Sequence, residues 1–179
     1  MATGATVHTF TVHLADVDRG VYEELSLRVA RHPSETDAFM LTRVLAYCLE
    51  YEEGIAFSDG VSATDLPAVL VRDLTGSITA WIEVGAPDAE RLHTGSMQSE
   101  RTAVYTHRDP AKVAAQWSGK RIHRVDELAL CSFDPGFLDA AIAHLERRNE
   151  LTVSVTERRL YLDLNDATLE TDVHRHPLA

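Results

Sequence analysis

The feature that most constrains this chain is a pair of apolar, β-forming stretches separated by one turn signal. Thr64–Arg72 and Ser77–Gly85 are rich in Val, Leu, Ile and Trp, and between them lies Asp73-Leu74-Thr75-Gly76. Asp at the first position and Gly at the fourth suit a type I turn, so the whole reads as a β-hairpin. Counting outward from the turn sets residue 72 opposite about 77 and Glu83 opposite Leu66, within one residue. Asp65 and Glu83 then meet at the far end of the hairpin. Mg²⁺ takes oxygen ligands and needs only one or two carboxylates beside a phosphate, so the pair has the geometry of a Mg²⁺-dependent phosphodiester cutter. Asp73 precedes Glu83 by ten residues, a nuclease-like spacing on paper. Across the hairpin, however, it lies roughly 20 Å from the position opposite Glu83, at a rise of ~3.3 Å per residue. It is the turn residue.

Composition narrows the partners. With 179 residues, 45% hydrophobic and 25% charged, there is material for one good core, and a single domain over residues 1–179 is expected. The net charge is −11, and the 17 Lys and Arg residues form no run longer than two. Affinity for nucleic acid comes mainly from basic side chains neutralising phosphates, so this balance disfavours a nucleic-acid partner. A local positive groove would have to be built from Arg28, Arg31, Arg43, Arg91 and Arg101. The nine histidines add charge only below neutral pH. No apolar run approaches the ~20 residues of a membrane span. Met1–Thr6 has neither a basic nor an apolar segment, so no signal peptide is expected. Cys48 and Cys131 fall in apolar runs without metal-ligand spacing and read as reduced core thiols of a cytoplasmic protein.

Period-two alternation makes Val7–Ala15 a strand. Beyond the turn Asp16–Gly20, Leu25, Leu27 and Val29 alternate with Ser26, Arg28 and Ala30, so Val21–His32 is its returning partner. Ser34, with Asp37 three residues on, is the expected cap of a helix with Ala38, Leu41, Leu45, Cys48 and Leu49 on one face. That helix should run to about Glu53 and stop at Gly54. Ile55–Val61 is a short strand leading into the hairpin. Asp88 then caps a helix through Ser99, Thr102–Thr106 is a strand, and Asp109-Pro110 opens a helix to Trp117. A strand within Ile122–Ser132 precedes a helix from Asp134-Pro135 to Arg148-Asn149. Leu151–Thr156, Arg159–Leu164 and Thr168–His174 close the chain as an antiparallel meander able to pair with the N-terminal hairpin.

The middle of the chain therefore runs helix, three strands, helix, strand. This αβββαβ order, over about residues 34–107, matches the core of the PD-(D/E)XK nuclease superfamily. Ala30-Arg31-His32-Pro33-Ser34-Glu35-Thr36, Trp81-Ile82-Glu83-Val84-Gly85 and Pro87-Asp88 resemble the bacterial YaeQ family, and the resemblance covers nearly the whole chain. It implies an α/β (α+β) chain with a restriction-endonuclease-like core and an added antiparallel sheet. It also implies roles. In that superfamily an acidic pair holds Mg²⁺ or Mn²⁺, and a Lys two residues past the second acid orients the nucleophile or steadies the transition state. By this resemblance Asp65 is the first acid, within Asp-Leu-Pro rather than Pro-Asp, and Glu83 the second. Glu35 is a further metal-directed acid of the first helix, and Gln98 the Gln of the helix after the motif. The Lys position is Gly85. The following helix offers Arg91, His93 and Arg101 but no Lys, and an Arg stabilises charge without serving as a base.

Each candidate also has a structural reading. Glu35 suits the positive end of a helix dipole, Gln98 a surface amide, and Asp65 a cap or strand flank. Glu83 has the weakest such reading, because an acid within Trp81-Ile82-Glu83-Val84 needs a reason to be there. His174 and His176 share a strand face, as a Zn²⁺ or Ni²⁺ pair or as part of an ordinary tail. No Gly-x-Ser-x-Gly motif occurs and neither Cys has a neighbouring His, so nucleophilic triads are unsupported. Two functions remain. One is a metal-dependent nuclease with a variant site of Glu35, Asp65, Glu83 and Gln98. The other is a catalytically inactive nuclease-fold binding module acting through a protein or nucleic-acid partner. A uniformly negative surface at the hairpin end favours the second, with a protein partner.

Overall fold

The computed structural model describes residues 4–58 and 65–178, over which the chain is mixed α+β and mostly sheet. In chain order its elements are β1 (Thr6–Asp16), β2 (Val21–Arg31), α1 (Asp37–Leu49), β3 (Ile55–Phe57), β4 (Val69–Arg72), β5 (Ile78–Val84) and α2 (Ala89–Gln98). There follow β6 (Arg101–Tyr105), α3 (Pro110–Gln116), β7 (Ala129–Phe133), α4 (Phe137–Ile142), β8 (Arg148–Thr156), β9 (Arg159–Leu164) and β10 (Ala167–His176). They fall into two compact units, Met1–Leu41 with Phe133–His174, and Thr42–Ser132 with Arg175–Ala179. No helix among the described residues is long and apolar enough to cross a membrane.

In the first unit, alternation does what it promises. β1 pairs antiparallel with β2 along its full length, and β1 pairs parallel with β8, which continues antiparallel through β9 to β10. Successive side chains on a strand point to opposite faces. One face therefore buries Phe10, Val12, Leu14, Leu27, Val29, Leu151, Val153, Leu160, Leu162 and Leu164. The meander thus joins the N-terminal hairpin as its pattern allowed. Two boundaries differ from expectation. Ser34 does not cap α1: it bonds His32 Nδ1 at 2.8 Å, while Thr36 Oγ1 accepts from Phe39 N at 3.0 Å. α4 ends at Ile142, and Arg148-Asn149 opens β8 instead of closing a helix, because the Asn149 amide donates to Thr9 O and Glu146 O.

The second unit is built on β3, β4, β5, β6 and β7, with β3, β4 and β5 antiparallel and β5, β6 and β7 parallel. The order α1, β3, β4, β5, α2, β6 is the expected succession. α2 and α3 cover the sheet through Ala89, Leu92, Val113 and Trp117, packed with Val104, Ile122, Leu128 and Leu130. α1 ends at Leu49, short of Glu53. The next residue, Glu50, leaves the helix to accept from Tyr105 Oη at 2.6 Å and to pair with Arg101. β3 stops at Phe57; Gly60, Val61 and Thr64 lie outside the described residues.

The central hairpin forms, but its register departs from the count by two residues. Asp73 N donates to Ser77 O and Gly76 N to Asp73 O, so Asp73 rather than Arg72 faces Ser77. Gly76 closes this loop at φ 88°, a left-handed conformation that costs glycine little. A bulge between Val71 and Arg72 then adds a second residue, giving Val69 opposite Ile82. One step further, Glu83 faces Ala68, not Leu66. Asp73 is the turn residue expected: its Oδ1 accepts from Thr75 N, Thr75 Oγ1 and Ser77 N.

Candidate functional site: an acidic cleft over a buried Glu–Arg pair

Trp81 and Glu83 stand two apart on β5, so their side chains share a face. α2 crosses that face at Gly95. A Cβ built there would lie 2.4 Å from Trp81 Cε2, so only glycine lets the indole press against the helix backbone. Thus fixed, Trp81 Nε1 donates to Glu83 Oε2 at 3.1 Å. Asp88 caps α2, its Oδ1 accepting from Arg91 N at 2.8 Å, which starts the helix with Arg91 in its first turn. The Arg91 side chain turns inward, donating from Nε to Glu83 Oε2 at 2.5 Å and from Nη2 to Leu66 O.

Glu83 is 4% exposed. Burial pushes its carboxyl above the usual glutamate range, against the opposing pull of Arg91 and of the N–H groups of Trp81, Arg91 and Ala68. This supplies the reason the sequence lacked for an acid on an apolar strand: Glu83 ties β5 to α2 and, through Arg91, to the segment before β4.

Above this pair lies a cleft of about 320 Å³ lined by Asp65, Trp81, Asp88, Glu90, Arg91, Thr94 and Gln98. Of the predicted site residues it brings together Asp65 and Gln98. Asp65 is exposed and precedes β4 in a turn, not on the strand. Glu83 does not line the cleft; its two side-chain partners, Trp81 and Arg91, do. Among the described residues, three carboxylates and one guanidinium border the space, and that guanidinium is bonded to Glu83. Glu35 is a residue of the first unit, buried in the turn before α1, with its backbone carbonyl accepting from Arg31 Nη1. It is therefore not in the first helical turn, where Asp37 is the acid. At the Lys position, Gly85 adopts φ 91° and donates from its N to Tyr105 O at 2.9 Å.

Among the described residues, one group of three possible metal ligands lies within 4.8 Å, and it is elsewhere: Asp134, Asp172 and His174 in the first unit. Arg159 sits among them, 3.0 Å from Asp172 and 3.6 Å from Asp134, so a cation of the chain already balances these acids. His176, the other half of the expected imidazole pair, bonds Ser132 Oγ at 2.7 Å.

The architecture is that of a mixed α+β protein in which an acidic cleft overlies a buried ion pair. The family model for YaeQ protein matches residues 1–173, and the chain belongs to the YaeQ family. It is 30% identical over 174 residues to YaeQ of Escherichia coli (strain K12), covering 97% of this chain and 96% of that one. To the Salmonella typhi protein it is 29% identical over 163 residues, 90% of each chain. Both relatives are described as uncharacterized. Among solved structures, YaeQ from Pseudomonas syringae superposes with a TM-score of 0.85 at 29% identity, covering 96% of this chain and 95% of that one. YaeQ from Xanthomonas axonopodis pv. citri gives 0.86 at 27% identity, covering 98% and 99%.

Proposed function

We propose that this chain is a binding module on a PD-(D/E)XK-type scaffold that has given up phosphodiester cleavage, with a protein partner that offers a basic side chain to the acidic cleft. The observation that carries this reading is Arg91. Its Nε donates to Oε2 of Glu83, Trp81 Nε1 donates to the same oxygen, and the Ala68 N–H also bonds the carboxyl. A divalent ion at Glu83 would meet a fixed positive charge, so the donor set does not fit Mg²⁺ or Mn²⁺ there. Gly85 supports the same reading, since a Lys at φ 91° would be held in the left-handed region, costing about 1–2 kcal/mol. The scaffold is supported by the succession α1, β3, β4, β5, α2, β6. Cys48 and Cys131 are buried and form no disulfide, which suits a reducing cytoplasm. Asp65, Asp88 and Glu90 at the cleft, with a net charge of −11, favour a basic protein surface over a phosphate backbone.

The nuclease reading is favoured by one observation, that Asp65 and Gln98 line the same cleft. A single experiment separates the two. Labelled DNA and RNA are incubated with the chain in Mn²⁺ beside the Glu83→Ala variant. The binding-module reading expects no cutting above that of the variant, and no Mn²⁺ binding in calorimetry that the variant loses. Cleavage by the wild type that disappears in Glu83→Ala would overturn it.

A further inference from the structure

β2 forms one end of the sheet of the first unit, with β1 its neighbour on one side and, among the described residues, no strand on the other. Which backbone groups face that outer edge follows from β1. Thr9 N donates to Arg147 O and Val17 N to Val155 O, so the odd-numbered residues of β1 turn their backbone toward β8. The even-numbered residues turn toward β2, where Phe10, Val12 and Leu14 face Leu27, Leu25 and Glu23. The backbone groups of Tyr22, Glu24, Ser26 and Arg28 therefore point away from β1, along an edge of about 20 Å, at ~3.3 Å per residue, that no described strand covers. Open edges of this length are templates for pairing.

We propose that a second copy of this chain docks on that edge, β2 running antiparallel to its twin about a two-fold axis at Ser26. In that register Glu24 stands opposite Arg28 of the second copy, and Arg28 opposite its Glu24. Tyr22, 61% exposed, flanks these pairs, while Leu25 meets Leu27 on the other face. Sliding the axis to Glu24 opposes two glutamates, and sliding it to Arg28 opposes two arginines, both unfavourable across a ladder. An axis at Leu25 or Leu27 leaves neither charge facing its opposite. One register in five thus satisfies both charges twice, because the interface is isologous. Among the described residues, Glu24 has only an exposed contact with His13 at 3.5 Å, and Arg28 has no carboxylate partner. Charges on an edge can also serve simply to keep other chains away, which is the reading the test must defeat.

Sedimentation velocity of the full chain over a concentration series should show a monomer–dimer equilibrium. Glu24→Arg and Arg28→Glu should each raise its Kd about ten-fold, since each creates two like-charge pairs. Mixing the two variants should recover association as a heterodimer, and the double exchange E24R/R28E should recover the homodimer. Ser26→Pro removes an outward N–H and no bond to β1; it should leave the thermal transition in place and abolish the dimer, which keeps the test alive if a single reversal misfolds. A chain that stays monomeric throughout, a dimer indifferent to both reversals, or reversals not rescued by mixing would each overturn the proposal.

Discussion

Glu83 and Asp134 each face an arginine, and their carboxyls respond in opposite directions. Glu83 has Arg91 Nε at 2.5 Å and an indole N–H beside it, yet its affinity for a proton is raised. Asp134 has Arg159 no closer than 3.6 Å, yet its carboxyl is held below the usual aspartate range. The His174 Nε2–H donated to it at 2.6 Å is the chief cause, followed by Asp172 N and the nearby positive charges. Solvent makes the difference. The Glu83 side chain is 5% exposed, so water that would stabilise its charge has been removed, and one guanidinium does not replace it. The Asp134 side chain is 35% exposed, and the desolvation that remains is outweighed by the His174 hydrogen bond together with its other partners. The first arrangement fixes elements in place; the second is a hydrated surface network with Glu170 and Asp172 around Arg159.

The contrast is broken or confirmed most directly by removing each arginine. Arg91→Ala strands a buried carboxylate and frees Leu66 O, and should lower unfolding stability by ~3 kcal/mol in urea titrations. Arg159→Ala, at a screened surface, should leave the urea midpoint where it was. Equal losses would show that exposure does not separate the two.

Gly95→Ala sharpens the buried side of the comparison without touching a charge. The new methyl would overlap Trp81 Cε2, Nε1 and Cδ2 at 2.4–2.6 Å, so the indole must move and withdraw its N–H from Glu83. The expected cost is about 2 kcal/mol despite alanine's better helix propensity, with a changed near-ultraviolet signal from the displaced tryptophan. A stabilised variant with an unchanged spectrum would mean that the close approach is not tight.

What the sequence allowed one to read follows the same division between local and distant causes. Caps and alternation are local, so Asp88 before α2, Asp109-Pro110 before α3 and the β1–β2 hairpin stand where residue pattern puts them. The register of β4 on β5 failed because a bulge leaves no mark in Val71-Arg72, and two residues of slip carried the count from Ala68 to Leu66. Asp65 and Gln98 line one cleft, and the sequence assigns them to one candidate site by resemblance, not by geometry. The two-residue spacing of Trp81 and Glu83 sets them on one strand face, but it does not by itself make the indole a donor to the acid. Gly95 was not legible, since its role is set by an indole fourteen positions away in sequence. In the sequence Arg91 reads as part of a positive groove or as a stand-in for the missing Lys. That it closes on the acid instead depends on the helix-to-strand distance, which no spacing rule supplies.

Proton linkage gives the contrast a sign. The folded carboxyl of Glu83 lies above its ordinary value of 4.5, so between the two values the folded state holds more protons than the unfolded. Its contribution to stability is therefore full below pH 4.5 and declines as pH rises through the folded value. Asp134 lies below its ordinary 3.8, so its contribution is present above that value and is lost as pH falls through the folded one. Glu83→Gln should flatten the decline on the alkaline side of pH 4.5 and leave the acid limb unchanged in urea midpoints taken across pH. Steepening of the same limb in the variant would reverse the assignment of sign.

The smallest expected effect isolates the exposed half. His174 Nε2–H is the first cause of the low Asp134 value, ahead of Asp172 N and Arg159. His174→Ala should therefore move the Asp134 carboxyl titration, followed by carbon-detected NMR, upward toward 3.8, while leaving the Glu83 titration where it stands. Arg159→Ala should move it less, because the guanidinium is 3.6 Å away and both groups are wetted. If the arginine variant moved Asp134 more than the histidine variant, charge rather than the single short hydrogen bond would govern the surface network. The two carboxylates would then differ only in degree, because solvent would be weakening one kind of interaction rather than choosing between two.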